Sequence, residues 1–197
     1  MVTLVATGTE VLDTGRAGHV VLFYRDEQEL AERVSEYLRQ AVQDGGVAIV
    51  VASPDHRRSV ERHLAGAGVD LAAARERGSY RALDASETIR QFMVADWPDP
   101  AGFWQVFSPL LREAAQAGRR VRVFGEMVSL LWDTGLVNAA IEVEVMWNEL
   151  AGQYPFSLLC AYRAQPASCA HHLDALTEVR RVHEQVIGGP PPEPDQG

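Results

Sequence analysis

The sequence predicts an α/β fold with a mainly parallel central sheet flanked by helices. Between residues 19 and 187, short β-branched runs alternate with helical patterns, the order expected of a sheet assembled from βαβ units. The runs His19–Tyr24 and Val47–Ala52 are apolar throughout rather than alternating, as strands buried on both faces must be. The segments between such runs open on capping residues and close on glycine, so the helices have defined starts and stops.

Taken in order, His19–Tyr24 is the first strand. Asp26 and Glu29 then set a capping-box spacing, and Leu30, Val34, Leu38 and Ala41 repeat every three or four residues on one face. Gly45 and Gly46 end that helix, and Val47–Ala52 returns to the sheet. Ser53, Pro54 and Asp55 read as cap, first-turn proline and dipole-matched acid of a second helix that carries Val60 and Leu64 inward. Tyr80–Leu83 is a shorter strand. Asp84 and Glu87 cap a helix that the Trp97-Pro98-Asp99-Pro100 string must break. A helix over about 101–117, a strand over 121–124, helices over 126–133 and 136–151 and a strand over 156–162 follow. A last helix is expected over 167–187, with Leu173, Leu176, Val179, Val182 and Val186 along one side. The organisation expected is an N-terminal extension (1–18), one domain (19–187) and a disordered Pro/Gly-rich tail (188–197).

Composition excludes several functions. The balance of 18 basic and 27 acidic residues gives a net charge of −9, which repels phosphate backbones and anionic lipid, so direct nucleic-acid binding is not expected. All 18 basic residues are arginine. Without lysine there is no Schiff-base chemistry, and no GxxxxGK[ST] phosphate loop occurs. With two cysteines, no signal-peptide pattern and no apolar run near the ~20 residues that span a bilayer, a soluble protein of the reducing cytoplasm is expected.

In an open parallel sheet, ligands settle beyond the carboxyl ends of the strands. There the sequence places Phe23-Tyr24-Arg25, Ser53-Pro54-Asp55, Gly125-Glu126 and Cys160-Ala161-Tyr162. Aromatic groups and a carboxylate are poor phosphate ligands and suit an apolar or aromatic-sized molecule. Each also has a packing role available: Phe23 and Tyr24 face opposite sides of the sheet, Glu126 suits a helix start, Trp132 and Trp147 have core spacing, and Cys160 reads as a buried thiol. Cys169, His171, His172 and His183 suggest metal ligation, but His172 and His183 lie about 16 Å apart on a continuous helix, so no metal or other cofactor is expected. A nucleophilic site from Cys160, His19 and Glu126 lacks any surrounding signature, and no catalytic residue is assigned.

Several strings together carry a family resemblance: His19-x-x-x-Phe23-Tyr24; Val123-Phe124-Gly125-Glu126-Met127 with Leu131-Trp132; Trp147-Asn148-Glu149-Leu150; and Leu159-Cys160-Ala161-Tyr162. Over about 19–187 the chain resembles the MEDS family, the methanogen/methylotroph DcmR-type sensory domain. The resemblance implies a RecA/KaiC-like, P-loop-derived core without the Walker A loop, and a non-enzymatic role in sensing apolar or hydrocarbon-derived molecules. Carried over by position, the ligand-binding residues are His19, Phe23, Tyr24, Glu126, Trp132, Trp147, Cys160 and Tyr162. Members of the family are often joined to a helix-turn-helix or a histidine kinase. Neither is found here, so the expected partner is a separate kinase or transcription regulator. A homodimer through the 167–187 helix is also expected. The competing readings are a ligand-free, partner-switching interaction module, using that helix or the Trp97 loop, and a hydrolase-like enzyme.

Overall fold

The computed structural model describes residues 4–6, 18–164 and 170–188. In chain order its elements are β1 (Leu4–Ala6), β2 (His19–Tyr24), α1 (Glu27–Gln43), β3 (Val47–Ala52), α2 (Pro54–Gly66), α3 (Leu71–Glu76), β4 (Tyr80–Asp84), α4 (Ala85–Phe92), β5 (Met93–Val94), β6 (Trp97–Pro98), α5 (Pro100–Ala114), β7 (Val121–Gly125), α6 (Met127–Asp133), α7 (Val137–Ala151), β8 (Ser157–Arg163), α8 (Ala170–Val182) and β9 (Gln185–Ile187). Seven strands form one sheet in the order β1-β9-β2-β8-β7-β3-β4, with every neighbouring pair parallel.

The local rules hold where they were specific. Asp26 caps α1 by accepting from the Glu29 amide at 2.9 Å, and Asp84 does the same for the Glu87 amide of α4. Asp99, expected only within a helix-breaking string, in fact caps α5 by accepting from the Gly102 amide at 2.8 Å, with Pro100 in the first turn. Strands β2 and β3 are buried at every position.

Alternation along the strands divides the core. Val20, Leu22, Tyr24, Ala48, Val50, Phe124, Leu159 and Ala161 face α1, α2 and α3. Val21, Phe23, Ile49, Val123, Leu158, Cys160 and Tyr162 face the layer made by α4 through α8. His19 begins β2 in phase with Val21 and Phe23, so it points into this second layer.

The C-terminal reading needs correction. The helix expected to run to residue 187 ends at Val182, and Gln185–Ile187 is a strand that pairs with Val20–Leu22 on one side and Leu4–Ala6 on the other. The His183 ring takes the carbonyl of Val179 at 2.6 Å, and the Glu184 amide donates to the His19 carbonyl at 2.8 Å. Backbone pairing to β2 therefore replaces further helix. Gly188 closes the strand at φ 72°, where an added Cβ would lie 2.4 Å from the Phe23 carbonyl oxygen. Residues 167–169, Cys169 included, and 189–197 lie outside the described residues, as do the side chains of His171, His172 and Leu173.

Three features have no counterpart in the sequence reading: strand β1 within the expected N-terminal extension, the short helix α3 and the antiparallel β5–β6 hairpin. Ala95 at the hairpin turn has φ 54°. Among the described residues, no helix is long and apolar enough to cross a membrane.

Candidate functional site: a buried His-Glu-Cys-His cluster

Beneath the α7–α8 layer, β2 brings His19 and β8 brings Cys160 and Tyr162, each on the same face of the sheet. In the middle of α7, Glu144 points down onto them and is fully buried. Its carboxylate receives the Tyr162 hydroxyl at 2.8 Å and the Cys160 thiol at 3.1 Å. The His19 Nε2 atom lies 3.1 Å from the same carboxylate and 3.4 Å from the Cys160 sulfur. His183, immediately after α8, stacks on His19 with ring centroids 3.9 Å apart and brings its Nε2 within 3.5 Å of Glu144.

The outer bonds of the two imidazoles define their tautomers. The side-chain amide of Asn148, one turn along α7 from Glu144, donates to the Val182 carbonyl at 2.9 Å. Its oxygen is therefore left to accept from His19 Nδ1 at 2.9 Å. His183 Nδ1 donates to the Val179 carbonyl. Both rings thus carry hydrogen on Nδ1 and turn Nε2 toward the cluster centre, where His183 Nε2, in a neutral ring, presents a lone pair.

Burial governs the electrostatics. It pushes His183 down to about 4, so that imidazole is neutral at neutral pH. It also works to raise Glu144, but the influence of His183, the hydrogen bond and charge of His19 and the hydrogen bond from Cys160 outweigh it and leave the carboxyl at about 2. Burial first, and then the charge of Glu144, push the Cys160 thiol and the Tyr162 phenol well above their usual values. Cys160 is consequently a protonated donor, not a thiolate poised for attack.

A second polar network lies at the carboxyl ends of the strands. Glu126 begins α6 without capping it. Its carboxylate instead accepts from the Ser53 amide at 2.7 Å, the Ser53 hydroxyl at 3.2 Å and His56 Nδ1 at 2.6 Å. The other nitrogen of His56 meets Glu27, which also takes Arg163 at 2.8 Å. Charge alternates along this chain, and the hydrogen bond to Glu126 lifts His56 to about 9 against the opposing effect of burial. Beside it, burial and the Glu27 charge raise the Tyr24 phenol. Of the acids after β2, Asp26 caps α1, Glu29 binds Arg25, and Glu27 joins this network.

The residues singled out by sequence are therefore distributed over three places. His19, Cys160 and Tyr162 meet at Glu144. The rings of Phe23 and Trp132 flank that of Tyr162, with centroids 6.0 and 5.3 Å away. Glu126 and Tyr24 belong to the strand-end network. Trp147 packs among Phe103, Phe107 and Phe156 at 5.1, 4.5 and 5.8 Å. A cleft of about 510 Å³ between the start of α7 and α8, lined by Val137, Ile141, Asp174 and Glu178, includes none of them.

Sequence reasoning missed Glu144, Asn148 and His56 as site residues, and it considered His183 only with neighbours on its own helix. One signal for Glu144 was present: Ala140, Val143, Trp147 and Leu150 mark the inward face of α7, and Glu144 falls on it. His19, Glu144, Cys160 and His183 each bring a potential ligand atom within 4.8 Å of all the others.

A search of curated proteins finds no match to the chain. Residues 18–184 match the family model described as MEDS, MEthanogen/methylotroph, DcmR Sensory domain. With nearly the whole ordered core inside that match, the chain belongs to the MEDS family of sensory domains.

Proposed function

We propose that this chain is a non-enzymatic sensory regulator that binds a small apolar or hydrocarbon-derived molecule and signals to a separate regulatory protein, a kinase or a transcription regulator. The observation that carries this reading is the aromatic cluster formed by buried Phe23 and Tyr162, near the carboxyl ends of β2 and β8, with half-buried Trp132 of α6 against it. Aromatic groups of this kind suit an apolar molecule that displaces them, and the Tyr162 ring is tied by its hydroxyl to Glu144. A ligand that moves the Tyr162 ring acts on Glu144, and through it on His183 at the α8–β9 junction. Output follows from the difference in ligand affinity between the two arrangements.

The test is thermal unfolding and tryptophan fluorescence against a panel of short-chain alcohols, halomethanes and methylated amines. A binding member at about 100 times its Kd adds roughly 2.7 kcal/mol, and Trp132→Ala removes the effect. Failure of every compound to move the melting temperature, or an undiminished response in Trp132→Ala, overturns the proposal.

The reading as an interaction module without ligand has its own support. Val94 and Trp97, on the β5–β6 hairpin, are 68% and 50% exposed, an apolar tip suited to a protein partner. On that reading Trp97→Ser abolishes recruitment of a co-expressed regulator, and no small molecule changes the affinity.

A further inference from the structure

We propose that His19, Glu144, Cys160 and His183 form a buried binding site for a divalent transition-metal ion, with Zn²⁺ the best match. Two imidazoles, a thiol and a carboxylate are the donor types this ion takes. With bonds of about 2.0–2.3 Å, the ligand atoms of a tetrahedral Zn²⁺ site lie roughly 3.3–3.6 Å from one another. The observed separations lie within or slightly inside this range: 3.4 Å from His19 Nε2 to the Cys160 sulfur and 3.5 Å from His183 Nε2 to Glu144, with 3.1 Å from His19 Nε2 to Glu144 and 3.1 Å from the Cys160 sulfur to Glu144, and all four ligand atoms fall within 4.8 Å of one another.

The outer shell is also that of a metal site. A ligating histidine donates its distal N–H to a carbonyl or carboxylate, which fixes the ring and aims the free lone pair. His19 does this to Asn148, itself held by the Val182 carbonyl, and His183 does it to the Val179 carbonyl. Glu144 is held by Tyr162.

Hydrogen bonding alone leaves the cluster incomplete. Cys160 and Tyr162 bring one proton each, and both are directed to the carboxylate. Among the described residues, His183 Nε2 is buried with no hydrogen-bond partner and lies beside that carboxylate. The His183 Nε2 lone pair thus faces a buried negative charge, an unfavourable pairing away from water. A dication binds both groups. Cys160 gives its proton to solvent on binding, and thiolate, carboxylate and dication sum to a neutral site. The ion ties β2, β8, α7 and the α8–β9 junction together. This inference stands apart from the ligand reading, since none of its ligands comes from the Phe23–Tyr162–Trp132 aromatic cluster.

The experiment uses the full chain, freed of metal by chelation and titrated with Co²⁺ as a spectroscopic stand-in for Zn²⁺. The expected result is binding of one equivalent, a tetrahedral ligand-field spectrum and a thiolate-to-cobalt charge-transfer band, with Zn²⁺ displacing Co²⁺ and raising the melting temperature. Cys169→Ser leaves Cys160 as the sole thiol and keeps the band. Cys160→Ser loses it, and His183→Gln weakens binding by at least the roughly 10–100-fold that loss of an outer-shell partner costs. The proposal is overturned if metal-free wild type binds no stoichiometric Co²⁺ or Zn²⁺, or if Cys169→Ser abolishes the band. Because Cys169→Ser reports on Cys160 directly, the test stands even where Cys160→Ser does not fold.

Discussion

His56 links folding stability to pH in a direction set by its partners. In the folded chain it lies between Glu126 and Glu27, and the hydrogen bond to Glu126 is the largest cause of its rise from 6.5 to about 9. At 1.36 kcal/mol per pH unit that rise corresponds to roughly 3 kcal/mol. His56 is 21% exposed and Glu27 is 50% exposed, so solvent screening reduces the contribution to about 1.5–2 kcal/mol. The folded state binds the proton more tightly than the unfolded one. The stabilisation is therefore complete below about 6.5 and is lost as pH rises through about 9. Urea unfolding of wild type and His56→Gln from about pH 6 to about pH 10 measures it, since titrations elsewhere cancel in the difference. The gap should be widest at the acid end, equivalent to about 3–8 °C in Tm, and close at the alkaline end. A gap that is constant, or that widens with pH, refutes the reasoning.

Trp147→Ala should cost about 3–5 kcal/mol by urea unfolding, because the indole is fully buried among Phe103, Phe107 and Phe156. In metal-free protein, Glu144→Ala should cost about 3–5 kcal/mol, since it strips Tyr162 and Cys160 of their acceptor. Glu144→Gln should cost markedly less, because the amide still accepts and can also donate to the His183 Nε2 lone pair; equal losses would contradict the tautomer assigned to His183. Gly46→Ala should lose about 1–3 kcal/mol, because its Cβ would sit 2.4 Å from the Arg120 carbonyl oxygen. Val179→Glu should unfold the protomer rather than release folded monomers, as Val179 is fully buried against the sheet; sedimentation velocity with circular dichroism separates the two outcomes.

The order of strands and helices was legible because the signals were local. Asp26 with Glu29, Ser53 with Pro54 and Asp84 with Glu87 each act within one turn of backbone, and the runs over 19–24 and 47–52 are apolar enough to admit only a buried strand. Strand β9 was hidden for the opposite reason. Val179, Val182 and Val186 fit helical spacing, and only pairing with β2, from the far end of the chain, makes Gln185–Ile187 extended. The site shows the same division. His19, Cys160 and Tyr162 stood out through a familiar pattern, whereas Glu144 looked like one more helix carboxylate until the sheet beneath it was known. On sequence alone the nearest histidine to His183 along an expected helix is His172, whereas its neighbours in the fold come from β2, α7 and β8.

The neighbours of β2 bear on how the chain is made. Its two flanking strands are β8 and β9, and Val20 meets Leu159 on one side and Gln185 on the other. During synthesis, the six-residue apolar segment His19–Tyr24 therefore leaves the ribosome long before either partner exists. Strands β3 and β4 can pair as soon as they emerge, but the centre of the sheet waits for the last part of the chain. Such late, non-local closure slows folding and leaves an unpaired apolar strand open to association with other chains. Nascent chains stalled before Ser157 should accordingly engage holding chaperones through their first long strand, and release should coincide with the arrival of β8.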